Sequence, residues 1–236
     1  MLFSKKKKVA KSEDEGAAES TSESSVSAEE LIKPMMIVMP PLGGSGSEPS
    51  PRCIGLIGDV TEDKAEIVLS GLISLKHKGT AIVRDEDSKD PEAVKEVCEP
   101  MDMIISTHGG SASDMFAIYD VMQMMQEDGM EICTVGVGKV MSAGVLLLAA
   151  GTKGKRSIGK HCRVMIHGVS SGAGGQVESI DNELEEIKLI EDQYITALAA
   201  NSAMTKRYIK NRLKKRLNVY IGAEEAVELG IADIIL

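Results

Sequence analysis

Ile132-Cys133-Thr134-Val135-Gly136-Val137-Gly138-Lys139-Val140-Met141-Ser142-Ala143-Gly144-Val145-Leu146-Leu147-Leu148-Ala149-Ala150-Gly151 is the stretch from which the fold can be read. Ile132 to Val137 is rich in β-branched residues and reads as a strand. Val145 to Ala150 is apolar on every side, which suits only a deeply buried helix, and Gly151 stops it. Between the two lies Gly138-Lys139-Val140-Met141-Ser142-Ala143-Gly144, a turn that delivers the strand directly into the helix.

The same alternation continues in both directions. Upstream, Met103-Ile104-Ile105-Ser106 reads as a strand ending at His108-Gly109-Gly110-Ser111. A Met-rich helix follows, with Met115, Ile118, Tyr119, Met122 and Met125 at helical spacing and Gly129 near its end. Further upstream, Cys53 to Gly58 reads as a buried strand. A helix then begins at Asp59 or Thr61, with Ala65, Val68, Leu69, Leu72 and Leu75 on one face. Residues 84–91 are charged and irregular, and 92–99 read as a short helix. Downstream, Arg163 to His167 is a fourth main strand and 168–175 a Gly/Ser-rich loop. A long helix runs from about Val177 to about Ala203, with Val177, Ile180, Leu184, Ile187, Tyr194 and Leu198 on its apolar face. Short strands alternating with helices predict an α/β fold with right-handed crossovers.

At 236 residues the chain is one large domain, or one domain and a tail. Hydrophobic residues make up 43 %, enough for a core, but aromatics only 3 %, so the 14 methionines carry much of the bulky packing. The net charge of −9 argues against a general nucleic-acid binder, and the scarcity of rings argues against a single-strand stacking platform. No apolar run is long enough for a transmembrane helix. The N-terminus, with Lys5 to Lys8, lacks the apolar stretch of a secretory signal. Cys53, Cys98, Cys133 and Cys162 show no metal-binding spacing and read as reduced, mostly buried thiols of a cytoplasmic protein, with no metal or cofactor expected. Residues 12–30 hold little to bury, and Pro40 to Ser47 reads as a linker, so residues 1–50 are expected to form a flexible tail and 51–236 the folded domain.

Two glycine-bounded strand-to-helix turns carry the chemistry. One is Gly109-Gly110, opening the Met-rich helix; the other is Ser142, opening the buried helix. Helix starts leave backbone N–H groups unpaired at the positive end of the dipole. Two of them facing one point can hold a developing oxyanion. Ser142 is placed to act as a nucleophile and His167, at the end of the next strand, as its base. Each feature alone has an ordinary reading: a helix-capping serine, a structural histidine, a simple turn.

Taken together, Met141-Ser142-Ala143-Gly144, Leu147 to Arg156, Arg163-Val164-Met165-Ile166-His167, His108 to Ser111 with Ala117-Ile118-Tyr119-Asp120, Gly174-Gly175-Gln176 and Ala223 to Asp233 resemble ClpP, the proteolytic subunit family of Clp proteases, over roughly residues 53–236. The wording is most similar to divergent ClpP-like subunits encoded by phages. The resemblance implies a crotonase-like α/β fold of stacked βαβ units with the 177–203 helix as a protruding handle. It implies Ser142 as nucleophile, His167 as general base, and the N–H groups of Gly110 and Ala143 as oxyanion hole. Gly168, Gly174, Gly175 and Gln176 would lie where an unfolded substrate strand is bound by β-addition. It further implies a homo-oligomer of two stacked seven-membered rings, fed by an AAA+ unfoldase.

One element of the family pattern is missing. The family keeps an Asp before the segment matching Gly222-Ala223-Glu224-Glu225, yet no Asp or Glu occurs between Asp192 and Glu224. An ungapped count back from Gly222 lands on Lys214, and small shifts reach Arg212 or Asn211. Only an asparagine can accept the His Nδ1–H bond, so Asn211 is the expected third member, with Asn218 as second choice. Other departures are His108 and Ala143 in place of the family's Pro and Met, and a longer segment around 80–100. The chain is therefore expected to be a self-compartmentalising serine endopeptidase subunit. The alternatives are a weakly active or inactive ring subunit that mixes with or modulates an active ClpP of a host cell, or a crotonase-type acyl-CoA enzyme.

Overall fold

A computed structural model describes residues 51–90, 92–170, 176–214 and 218–236, all within the compact unit Pro49–Leu236. The tail and linker expected over 1–50 lie outside the described residues. The element order is β1 (Cys53–Ile57), α1 (Glu62–Gly79), β2 (Thr80–Arg84), β3 (Val94–Cys98), β4 (Met101–Thr107), α2 (Ala112–Glu127), β5 (Ile132–Met141), α3 (Ala143–Ala149), β6 (Ser157–Ile158), β7 (Arg163–Ile166), α4 (Val177–Ala200), α5 (Lys206–Leu213), β8 (Val219–Ile221), α6 (Ala223–Glu228) and β9 (Ile234–Ile235). This is a mixed α/β fold on a mainly parallel sheet, consistent with a ClpP-type architecture.

The sheet runs β1-β4-β5-β6-β9, and β7 joins it beside the second half of β5. The reason lies in β5 itself. Ile105 pairs with Gly136 but Thr107 with Val140, so β5 carries extra residues around Gly138, whose φ is +64°. Such a bulge bends a strand and re-aims the residues beyond it. Before it, Val135 and Gly136 pair with β6; after it, Lys139 to Met141 pair with β7. One strand thus presents its C-terminal end to β7, the strand that leads to His167.

The core obeys the periodicities. Val68 and Leu72 of α1, Met115, Ile118 and Met122 of α2, and Met103 and Ile105 of β4 are fully buried together. All seven residues of α3 are buried, and each of its leucines contributes about 1.5–3 kcal/mol by leaving water. Thr61 and Ser111 cap α1 and α2, their side chains accepting from the Lys64 and Asp114 amides.

Three expectations are corrected. Residues 94–98 form a strand, not a helix: β3 pairs antiparallel with β2 in a separate two-stranded ribbon, where β-branched Val94 and Val97 suit a pleated strand. β1 is an edge strand, with Leu56 buried but Cys53, Gly55 and Ile57 exposed. Of the cysteines only Cys162 is buried, its thiol pushed up to about 11 by burial; Cys53 is exposed and Cys98 and Cys133 intermediate, all four free.

Buried Arg156 ties the C-terminal half to the core. Its guanidinium donates to the Ala149 and Asn201 carbonyls, at the ends of α3 and α4, and to Asp233 just before β9. Asp233 is held below the usual carboxylate range, chiefly by the hydrogen bonds from the Arg156 side chain, against the opposing effect of desolvation, with the Arg156 and Gly154 amides adding to it. A carboxylate whose pKa is lowered on folding stabilises the fold above its unfolded pKa of about 4, and this is lost as pH falls toward the folded value. Asp233→Asn is expected to cost on the order of 3 kcal/mol at pH 7, because it strips the partner from a buried arginine. It should also lose less stability than wild type between about pH 5 and pH 3. Thermal unfolding followed by circular dichroism across that range checks both.

Candidate active site

Three adjacent strands end side by side. β4 runs into Gly109-Gly110, β5 into Ser142 and β7 into His167, and β5 pairs with both neighbours in parallel. In open α/β sheets the space beyond the strand C-termini is where ligands are held. Here it is a cavity of about 310 Å³, with Gly110, Ser142, Ala143 and His167 among its lining residues.

The glycines at the β4 end are required by space. Gly109 has φ +103°, and a Cβ there would lie 2.5 Å from the Ser142 Cβ. Gly110 has φ +151°, and a Cβ there would overlap the Val60 carbonyl oxygen. The turn is pinned by Val60 N–H to the Gly109 carbonyl (2.8 Å) and Ser111 N–H to the Val60 carbonyl (2.9 Å). These bonds use the groups on either side of the Gly110 N–H and not that N–H itself.

Ser142 is the one non-glycine residue with positive φ among the described residues (φ 52°, ψ −119°). Such a conformation costs about 1–3 kcal/mol and persists only where the surroundings impose it. They do so from three sides. The Ser142 N–H donates to the Met165 carbonyl of β7 (2.8 Å), and its carbonyl accepts from the Val145 N–H (3.0 Å) and from the Tyr194 hydroxyl of α4 (3.2 Å). Although Ser142 stands at the helix start, its side chain makes no capping hydrogen bond, so the hydroxyl is left for other work. Ala143 occupies the first position of α3, where a backbone N–H has no intrahelical acceptor.

His167 is half-buried and lines a second, larger cavity of about 820 Å³ as well as the first. β8 lies antiparallel to β7, the pairing ending at Ile166 opposite Val219, so that His167 and Asn218 are the next residues beyond the two strands. Both line the second cavity. Asn211 is not among the residues lining either cavity; it is exposed on α5. His167 and Asn218 thus share the second cavity, which Asn211 does not line. Of the carboxylates on this cavity, Asp192 is paired with Lys210 (2.8 Å) and Glu191 lies over Gly168.

Of the remaining expected residues, Gly168 lines both cavities. Gln176 is exposed at the start of α4 and lines neither. Gly174 and Gly175 lie outside the described residues. The other histidines line neither cavity: His77 is exposed on α1, His161 exposed in a loop, and His108, beside Gly109, exposed with Nδ1 3.8 Å from Asp59. Among the described residues no group of His, Cys, Asp and Glu is arranged to hold a metal ion. Sequence reasoning misses Tyr194 as a functional candidate. The helical spacing marks it only as apolar, whereas a buried tyrosine hydroxyl must find a partner.

A family model for Clp protease matches residues 93–236. Two curated relatives are both named ATP-dependent Clp protease proteolytic subunit 1. One, from Prochlorococcus marinus subsp. pastoris (strain CCMP1986 / NIES-2087 / MED4), is 35 % identical over 78 % of this chain and 83 % of its own length. The other, from Prochlorococcus marinus (strain MIT 9312), is 34 % identical over 78 % and 84 % respectively. With the family model covering more than half of the chain and this degree of identity over most of the relatives' length, the chain belongs to the Clp protease family.

Proposed function

We propose that this chain is the subunit of a serine endopeptidase that cleaves unfolded polypeptides, with Ser142 as nucleophile and His167 as general base. The observation that carries this is the convergence of Gly110, Ser142, Ala143 and His167 on one cavity at the ends of three neighbouring strands. In the first half of the reaction Ser142 Oγ attacks the peptide carbonyl while His167 takes its proton. The N–H groups of Gly110 and Ala143 hold the oxyanion, and the proton passes to the leaving amine. Water, deprotonated by His167, then hydrolyses the acyl-enzyme. Asn218 accepts the Nδ1–H of His167 and fixes its tautomer. Asn218 is preferred to Asn211 for this role because it shares the second cavity with His167 and Asn211 does not. The backbone of Gly168, Val169 and Ser170 borders the site and offers an edge on which a substrate strand adds. The resemblance further supports assembly as two stacked seven-membered rings in the cytoplasm, fed by an AAA+ unfoldase.

A fluorophosphonate probe tests the reading. It should label the folded protein at one residue, identified as Ser142 by peptide mass spectrometry. Labelling elsewhere, or none in assembled protein, would overturn it. The neutral Asn218 favours a second reading, a ring subunit of low activity that mixes with an active ClpP of a host cell. Co-expression with such a partner and native mass measurement decides between them: homo-oligomers that cut peptides exclude the second.

A further inference from the structure

We propose that Tyr194 is a positioning residue for the oxyanion hole, holding the peptide unit that carries the Ala143 N–H. The inference rests on Ser142 being the nucleophile and goes beyond it by tying the site to the long helix α4. Tyr194 is 6 % exposed, and its hydroxyl donates to the Ser142 carbonyl at 3.2 Å. That carbonyl and the Ala143 N–H belong to one planar, trans peptide unit, in which the C=O and the N–H point in opposite directions. Fixing the carbonyl therefore fixes the direction of the N–H.

The unit needs fixing. Ser142 sits at φ 52° and ψ −119°, a conformation L-residues rarely adopt, and rotation of the following peptide would relieve it. On the N-terminal side the Ser142 N–H is tied to Met165 of β7. On the C-terminal side the only tie from within α3 is the Val145 N–H, a first-turn helix contact that can fray. Tyr194 supplies the tie from outside. Burial holds the hydroxyl's proton firmly on, well above the ordinary phenol range, so it remains a donor.

Position, not chemistry, is what the hydroxyl supplies. Ser142 and His167 remain in place without it, so ground-state binding should hardly change while transition-state stabilisation falls. Removing one oxyanion donor costs about 10²–10³ in kcat, and loosening one should cost about tenfold or more. Tyr194→Phe keeps the ring and removes the oxygen alone.

The test compares wild type and Tyr194→Phe in three measurements: the rate of fluorophosphonate labelling, KM and kcat on a fluorogenic peptide, and the thermal midpoint. Expected are labelling and kcat lowered about tenfold or more, KM within about twofold, and little change in midpoint. A crystal structure of the variant should show the Ser142–Ala143 peptide rotated or in two orientations. Labelling and kcat equal to wild type overturn the inference and leave the peptidase reading standing. So does a lowered midpoint with unchanged labelling well below it, which marks a purely structural tyrosine. Wild-type protein that is never labelled at Ser142 overturns the peptidase reading and the role of Tyr194 with it.

Discussion

Ser142→Ala is expected to fold and assemble normally and to hydrolyse peptides at least about 10³-fold more slowly than wild type. Losing the nucleophile of a serine protease costs about 10⁶-fold in kcat; the residual rate comes from the oxyanion hole and binding. The more informative comparison is with Ser142→Gly, which should be equally inactive. At φ 52° and ψ −119° serine and alanine both carry the steric cost of a Cβ, about 1–3 kcal/mol, and glycine does not. Against this stands the extra freedom of glycine in the unfolded chain, about 0.5–1 kcal/mol. Ser142→Gly should therefore be more stable than Ser142→Ala by about 1 kcal/mol in denaturant unfolding. Equal stabilities would mean that the turn is not strained. Undiminished hydrolysis by Ser142→Ala would remove Ser142 from the mechanism.

That strain is invisible in the sequence, unlike most of the elements around it. Helix α3 is legible because seven consecutive apolar residues admit one burial pattern, and α2 because its methionines recur at helical spacing. The ends of β4, β5 and β7 are legible because glycine, serine and histidine punctuate apolar runs. The features that escape the sequence lack a local signal. Residues 94–98 alternate too weakly to separate strand from helix, and only pairing with β2 decides it. The two-residue strands β6 and β9 exist because the parallel sheet offers them an edge, not because of their own propensity. Asn218 belongs to the same class. Counting back from Gly222 treats the chain as a ruler, whereas in the proposed function the partner of His167 is sought across the sheet, just beyond the Ile166–Val219 pair of β7 and β8. Tyr194 is fully legible as core and not legible as polar, because periodicity reports the ring and is silent on the oxygen.

Asn218→Asp is expected to raise kcat by about 10²-fold. The converse change in a Ser-His-Asp protease costs about 10⁴-fold, and that sets the ceiling. Two facts lower the expectation. Asn218 is exposed in the described chain, so solvent screens the new charge, and a site built around asparagine gains less than an aspartate site loses. A factor of 10² corresponds to about 2.7 kcal/mol of transition-state stabilisation, within reach of a partly screened carboxylate beside an imidazolium. Lys214, on the same cavity, moderates the cost of placing that carboxylate there. The charge has a second signature. A carboxylate next to His167 favours its protonated form and raises its pKa, and the base must be neutral in the free enzyme. The acid limb of the kcat/KM profile should therefore move to higher pH in Asn218→Asp, even as the plateau rises. Asn211→Asp adds the same charge to α5, away from both cavities, and should change neither. If Asn218→Asp leaves plateau and acid limb where they were, Asn218 does not serve His167. If Asn211→Asp produces the gain instead, the register between β7 and β8 is not the one that orients the histidine.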